Sequence, residues 1–146
     1  MLLNIIRMKA KKIIFICKYN AFRSRVAEKY FEKINKNRNY SVASLGFIMD
    51  EGPDRAQIAG AKKIAGIDIS RQKSKPVKMD DLRKADKIIV VAYDIPEIMF
   101  NNGLYNLRKK LEIWKIPDEQ KGNSKNIENI IKNIMRRVKN LVEELG

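Results

Sequence analysis

The chain is 146 residues long, 45% hydrophobic and 33% charged, which fits one domain with a real core and excludes a collagen-like or linker-dominated chain. It has one cysteine, Cys17, and no histidine. An intramolecular disulfide, a Cys-rich metal site, a Ser-His-Asp triad and histidine ligands are therefore all excluded.

Lys and Arg number 31 against 17 Asp and Glu, a net charge of +14, and such a surface attracts anions. The basic residues are dispersed, in pairs such as Lys62-Lys63, Lys109-Lys110 and Arg136-Arg137. That pattern favours a solvated basic face over a dedicated nucleic-acid patch. No apolar stretch approaches the ~18 residues of a membrane span. The opening Met1-Leu2-Leu3-Asn4-Ile5-Ile6-Arg7 is too short and wrongly flanked for a signal peptide. The expectation is a cytoplasmic protein with a reduced thiol. Residues 1–11 read as an N-terminal extension and 12–146 as the folded domain.

In chain order, Ile13-Ile14-Phe15-Ile16 is a short continuous apolar run, as expected of a strand buried on both faces. Arg23 to about Asn35 follows as a helix with Val26, Ala27, Tyr30, Phe31 and Ile34 on one face. Tyr40 to Leu45 is a second strand. Asp54 to Ala65 is a helix, with Pro53 before it and Gly66 as its stop. Met79 to Ala85 is a shorter helix, and Lys87 to Val91 the third strand. Asp94-Ile95-Pro96-Glu97 has the marks of another helix start. Leu111 to Ile116 is the fourth strand. The last helix is the clearest, with Ile127, Ile130, Ile131, Ile134, Val138, Leu141, Val142 and Leu145 at helical spacing.

This alternation predicts a single α/β domain: a four-stranded parallel sheet, order 2-1-3-4, with helices on both faces. Ligands on such sheets bind at the carboxyl ends of the strands. Cys17 and Asp118 each follow a predicted strand, so the topology puts them on the same edge.

The segment that carries chemistry is Cys17-Lys18-Tyr19-Asn20-Ala21-Phe22-Arg23-Ser24. A cysteine ends a buried strand, and an arginine and a serine then open a helix. Such a loop can wrap a tetrahedral oxyanion with its backbone N–H groups, aided by the helix N-terminus. Arg23 supplies a planar fork for two oxygens. The same positive field favours the thiolate of Cys17, the form that attacks phosphorus. Read singly, Cys17 is a small buried hydrophobe and Arg23 a surface residue. The strand before, the helix after, and Asn20 and Ser24 inside the motif favour the anion site.

At these residues the chain resembles the low-molecular-weight protein tyrosine phosphatases and their arsenate-reductase relatives, whose motif is C-x-x-N-x-x-R-S. Ser41-Val42-Ala43-Ser44-Leu45-Gly46, Gly66-Ile67-Asp68-Ile69-Ser70, Ala85-Asp86-Lys87-Ile88-Ile89-Val90 and Ile116-Pro117-Asp118 are similar to further family segments. The resemblance implies Cys17 as nucleophile, Arg23 as phosphate ligand, and Asp118 as the acid that protonates the leaving oxygen and then deprotonates water. It implies that Ser24 hydrogen-bonds the Cys17 sulfur, that Asn20 with nearby Ser41 holds the loop in shape, and that Lys18, Tyr19, Ala21 and Phe22 complete it. The sequence departs from the family pattern at four places: Tyr19 stands where the family has a small residue, Phe22 replaces a common second cysteine, Gln72 stands where a loop-supporting histidine is usual, and Glu119, Gln120 and Lys121 follow Asp118 where the family has Pro and often aromatics. Phe47 is the remaining candidate for a wall of the substrate pocket.

The expected function is a cysteine-dependent phosphomonoesterase acting on phosphotyrosine in proteins or on small aryl phosphates, with inorganic phosphate as product. It implies no metal, no organic cofactor and no membrane partner. Two rival readings stay open: an arsenate reductase using an external thiol, and a non-catalytic phosphate- or phosphopeptide-binding module. A nucleic-acid binder has only net charge behind it.

Overall fold

The computed structural model describes residues 10–48, 52–71, 74–95, 107–117 and 124–146. Its strands are β1 (Lys11–Cys17), β2 (Tyr40–Gly46), β3 (Lys87–Val91) and β4 (Leu111–Trp114). Its helices are α1 (Arg23–Ile34), α2 (Arg55–Gly60, running into a π-helical turn Ala61–Ala65), α3 (Met79–Lys84) and α4 (Ser124–Leu145). A short 3-10 turn, Leu107–Lys110, leads into β4. All strand pairings are parallel and the order is β2-β1-β3-β4, as the alternation of elements predicts.

The continuous apolar runs arise because both sheet faces are covered. Alternate side chains of β1 go to opposite faces. Ile13 and Phe15 join α1 and α4 in one core, with Val26, Phe31, Ile131 and Val138. Ile14 and Ile16 pack on the other side with Leu82, Ala85 and Leu107. Phe15 meets the rings of Phe31 and Trp114 at centroid distances of 6.2 and 5.7 Å; truncating it to alanine would cost about 3–5 kcal/mol. The apolar stripe of α4 is buried at Ile127, Ile130, Ile131, Ile134, Val138 and Leu141, the spacing read from the sequence.

Two elements differ in detail from expectation. The helix expected over residues 54–65 is α-helical only to Gly60 and then widens into the π turn. Its start is fixed by reciprocal bonds: Gln57 N–H to Asp54 Oδ1 at 2.8 Å, and Asp54 N–H to Gln57 Oε1 at 3.0 Å. It stops at Gly66, whose φ of 66° suits a residue without a Cβ. The fourth strand, expected to reach Ile116, ends at Trp114, because the chain turns at Lys115 with Ile116 N–H bonded to Trp114 O at 2.7 Å. Past that turn the carbonyl of Ile116 accepts from the Tyr93 N–H at 3.2 Å and from Arg23 in the site at 2.9 Å. The expected helix start at Asp94-Ile95-Pro96-Glu97 continues outside the described residues. Among the described residues no helix is long and apolar enough to cross a membrane.

Candidate active site

β1 delivers Cys17 to the carboxyl edge of the sheet, paired in register with Gly46 at the end of β2. The chain then loops through residues 18–22 and enters α1 at Arg23. Cys17 is buried, and its Sγ lies 3.0 Å from Ser24 Oγ. The same hydroxyl accepts from Asn20 Nδ2 at 2.7 Å. With that lone pair taken, the Ser24 proton is free to point at the sulfur. A donor at the sulfur stabilises negative charge there.

The loop turns at Asn20, whose φ of 52° is left-handed. Asparagine tolerates that region better than most residues. Tyr19, the bulky residue at the turn, keeps an ordinary φ. Its ring is half-buried, with Lys18 Nζ 5.3 Å from the centroid, so the large side chain is accommodated outside the strained position. Asn20 is held from several directions. Its Oδ1 accepts from the backbone N–H of Lys75 at 3.1 Å, and its carbonyl accepts from Arg25 Nε at 2.6 Å and Ser74 Oγ at 3.4 Å. Gly46 lies directly against this loop: a Cβ there would come within 2.6 Å of both Asn20 N and Tyr19 C. The glycine is required by that close approach.

Arg23 is buried to 2% exposure. Its guanidinium donates to the Ile116 carbonyl at 2.9 Å and to Asp94 Oδ1 at 3.3 Å. Both anchors lie at the carboxyl edge, past the ends of β4 and β3. They fix the planar fork in one orientation. No side chain caps α1 and no acid stands in its first turn, so the helix sets no carboxylate of its own against an incoming anion; the Asp94 carboxylate reaches Arg23 from past β3. Phe22, at the N-cap position, is buried in the α1–α4 core beside Ile13 and Val26. It anchors the loop through packing.

The structure therefore brings Cys17, Lys18, Tyr19, Asn20, Ala21, Phe22, Arg23 and Ser24 into one loop. It does not bring Ser41 there. Ser41 pairs with Lys12 near the start of β2. It is exposed and lines an open groove of about 620 Å³ with Phe31, Tyr40 and Val42 at the far edge of the sheet. Gly46 lies five residue steps further along the strand, roughly 16 Å, so Ser41 does not support Asn20; Ser74 and Lys75 meet that residue instead. Phe47, directly after Gly46, is half-buried and packs on the core that holds Cys17 and Leu45. Asp118 and Gln72 lie outside the described residues. Asp94 and Arg25 carry site contacts that the sequence motif did not signal. Among the described residues no group of three or more Cys, Asp or Glu stands together as a metal cluster would.

One turn along α1 from Ser24, buried Glu28 accepts from Ser44 Oγ at 2.7 Å. Burial, the largest influence, pushes its carboxyl above the ordinary 4.5; the Ser44 bond and the charges of Lys29 and Lys75 pull it down, and Glu32 pushes it up. This pair ties α1 to β2.

A family model described as low molecular weight phosphotyrosine protein phosphatase matches residues 12–146. The chain belongs to that family. Membership makes it a hydrolase of the low-molecular-weight phosphatase type. The fold is shared with a low-molecular-weight protein tyrosine phosphatase from T. tengcongensis, at 20% identity and TM-score 0.81 over 92% of this chain and 99% of that one. It is also shared with the YwlE arginine phosphatase of Geobacillus stearothermophilus, at 17% identity and TM-score 0.79 over 92% of each chain. An arsenate reductase from Archaeoglobus fulgidus is similar at 22% identity and TM-score 0.69, over 90% of this chain and 98% of that one. No curated protein matches the chain by sequence.

Proposed function

We propose that this protein is a cysteine-dependent phosphomonoesterase that acts on phosphotyrosine in proteins or on small aryl phosphates. The observation that carries the reading is the Cys17 sulfur 3.0 Å from the Ser24 hydroxyl, in a loop whose far end is a buried Arg23 held by Asp94 and Ile116. The thiolate of Cys17 attacks phosphorus, and the bond from phosphorus to the leaving oxygen breaks. Asp118 gives that oxygen its proton. Arg23 and the loop N–H groups spread over the three equatorial oxygens. Water then attacks the phosphocysteine, Asp118 takes its proton, and the P–S bond breaks with the Ser24 hydroxyl stabilising the departing thiolate. Phosphate leaves and the enzyme is restored. A cytoplasmic setting, which keeps a lone thiol reduced, suits this chemistry.

Aryl phosphate hydrolysis by the wild type and by Cys17→Ser tests the proposal. Turnover by the wild type and none by the variant is expected; equal rates would overturn it. Peptides carrying phosphotyrosine and phosphoarginine, assayed side by side, identify the preferred ester or amide, since the structural neighbours include phosphatases for both. Arsenate reduction is the second reading, favoured by the reductase neighbour. It requires a second thiol to resolve the arsenic–sulfur adduct, and this chain has only Cys17. Thioredoxin alone should therefore support no arsenate turnover. Only a small thiol such as glutathione could supply the resolving sulfur.

A further inference from the structure

We infer that Arg25 is a positioning residue for the anion loop, a role that rests on the phosphatase reading above. Arg25 heads the largest fully buried side chains of the described protein, at 1% exposure, although it lies in the first turn of a helix. An arginine does not shed its charge on burial, so its donors must be met by acceptors. Among the described residues its acceptors include two backbone carbonyls from separate segments: Asn20 O, reached by Nε at 2.6 Å, and Ile69 O, reached by Nη1 at 3.1 Å. One guanidinium thus joins the loop to the segment that follows α2.

The contact on Asn20 bears directly on anion binding. The peptide between Asn20 and Ala21 is planar and trans, so its carbonyl and its N–H point in opposite directions. Arg25, with Ser74 at 3.4 Å, draws the carbonyl to one side. The N–H of Ala21 is thereby turned to the other side, toward the interior of the loop. Asn20 already occupies a left-handed conformation, with φ at 52°. Without the Arg25 anchor this carbonyl loses its 2.6 Å bond and keeps the longer 3.4 Å one to Ser74, and rotation of the peptide would replace an N–H donor with a carbonyl oxygen facing the anion. Arg25 also adds a second fixed cation beside the loop, two positions after Arg23. Among the described residues this guanidinium joins Ser74 and Lys75 in supporting the loop at Asn20.

The test compares wild type, Arg25→Met, Arg25→Lys and Val138→Ala. Val138 is a core residue of α4, so its truncation lowers stability without touching the loop. Two quantities are read at a temperature where circular dichroism shows each protein folded. One is the inorganic phosphate concentration that half-protects Cys17 from iodoacetate; the other is kcat/KM for an aryl phosphate. Arg25→Met keeps the stem but has no donor, and should weaken phosphate protection about tenfold or more. Arg25→Lys, with charge but no fork, should fall between. Val138→Ala should keep wild-type protection despite a lower melting temperature. Wild-type phosphate protection in folded Arg25→Met overturns the inference. If the Met variant does not fold, the Lys variant decides, and wild-type protection there overturns it equally. A wild type whose Cys17 phosphate does not protect at all sinks the phosphatase reading itself, and the role of Arg25 with it.

Discussion

Arg23 and Asp94, 71 residues apart in sequence, meet through Nη1 and Oδ1 at 3.3 Å. Arg23 is almost wholly buried in that pair, while Asp94 keeps 24% of its side chain exposed. The carboxylate orients the guanidinium and is itself engaged, which makes it a poor choice of proton donor to a leaving group. Asp94→Ala should lower kcat/KM roughly ten- to a hundredfold by loosening the fork. Asp94→Asn keeps an acceptor and should recover most of that loss. An Asn variant as slow as the Ala variant, with the loss concentrated on poor leaving groups, would instead make Asp94 the acid.

The acid role is proposed for Asp118. General acid catalysis is worth about 10²- to 10⁴-fold, and matters most when the departing oxygen is basic. Asp118→Asn should therefore slow an alkyl or unactivated phenyl phosphate far more than a nitrophenyl phosphate. Equal slowing of both, measured as kcat on a leaving-group series, would place the acid elsewhere.

Gly46 supports the loop by what it lacks. A methyl group there would press on the backbone of Tyr19 and Asn20 at 2.6 Å, where backbone rather than a flexible side chain must yield. Gly46→Ala should shift the loop and reduce phosphate affinity by an order of magnitude or more, since displacement by about 1 Å is enough to cost 10²-fold. Phosphate protection of Cys17 measures it, and unchanged protection would contradict the contact.

Glu28 predicts a pH dependence of stability. Burial raises its carboxyl above the ordinary 4.5, against the Ser44 bond and the nearby lysines. Folding thus favours the protonated acid. This contribution is complete below the ordinary value and is lost as pH rises through the raised one. Glu28→Gln keeps an oxygen for the Ser44 hydroxyl but does not titrate. The melting temperature of the variant should gain on the wild type as pH rises from below the ordinary 4.5 through the raised value. An offset that does not change as pH rises from below the ordinary 4.5 to neutral would show that Glu28 titrates alike in both states.

The elements legible in the sequence were those set by local pattern. Ile13–Ile16 and Ile88–Val91 are apolar on every residue because both faces of a parallel sheet are covered, and the stripe of α4 repeats over its whole length. The loop motif, too, is contiguous. What was not legible depends on contacts across the chain. Arg25 reads as a solvated helix residue until the carbonyl of Ile69 is laid against it, 44 residues away. Ser41 reads as a neighbour of the loop until the register sets it opposite Lys12. The early end of β4 is invisible in a segment whose apolar residues, Leu111, Ile113, Trp114 and Ile116, continue past it, yet that turn is what presents a carbonyl to Arg23.

The anchors of Arg23 and Asn20 carry a consequence for assembly. Arg23 reaches across 71 and 93 residues to Asp94 and Ile116, and Asn20 across 55 to the N–H of Lys75. A chain still emerging from the ribosome, with β1 and α1 complete, holds every residue of the motif and none of these anchors. The pocket can close only after β3 and β4 have joined the sheet, a late and non-local event in folding. Phosphate should then bind the finished fold and nothing before it, drawing the equilibrium toward the native state by mass action. Cellular phosphate would act as a folding ligand before any substrate arrives.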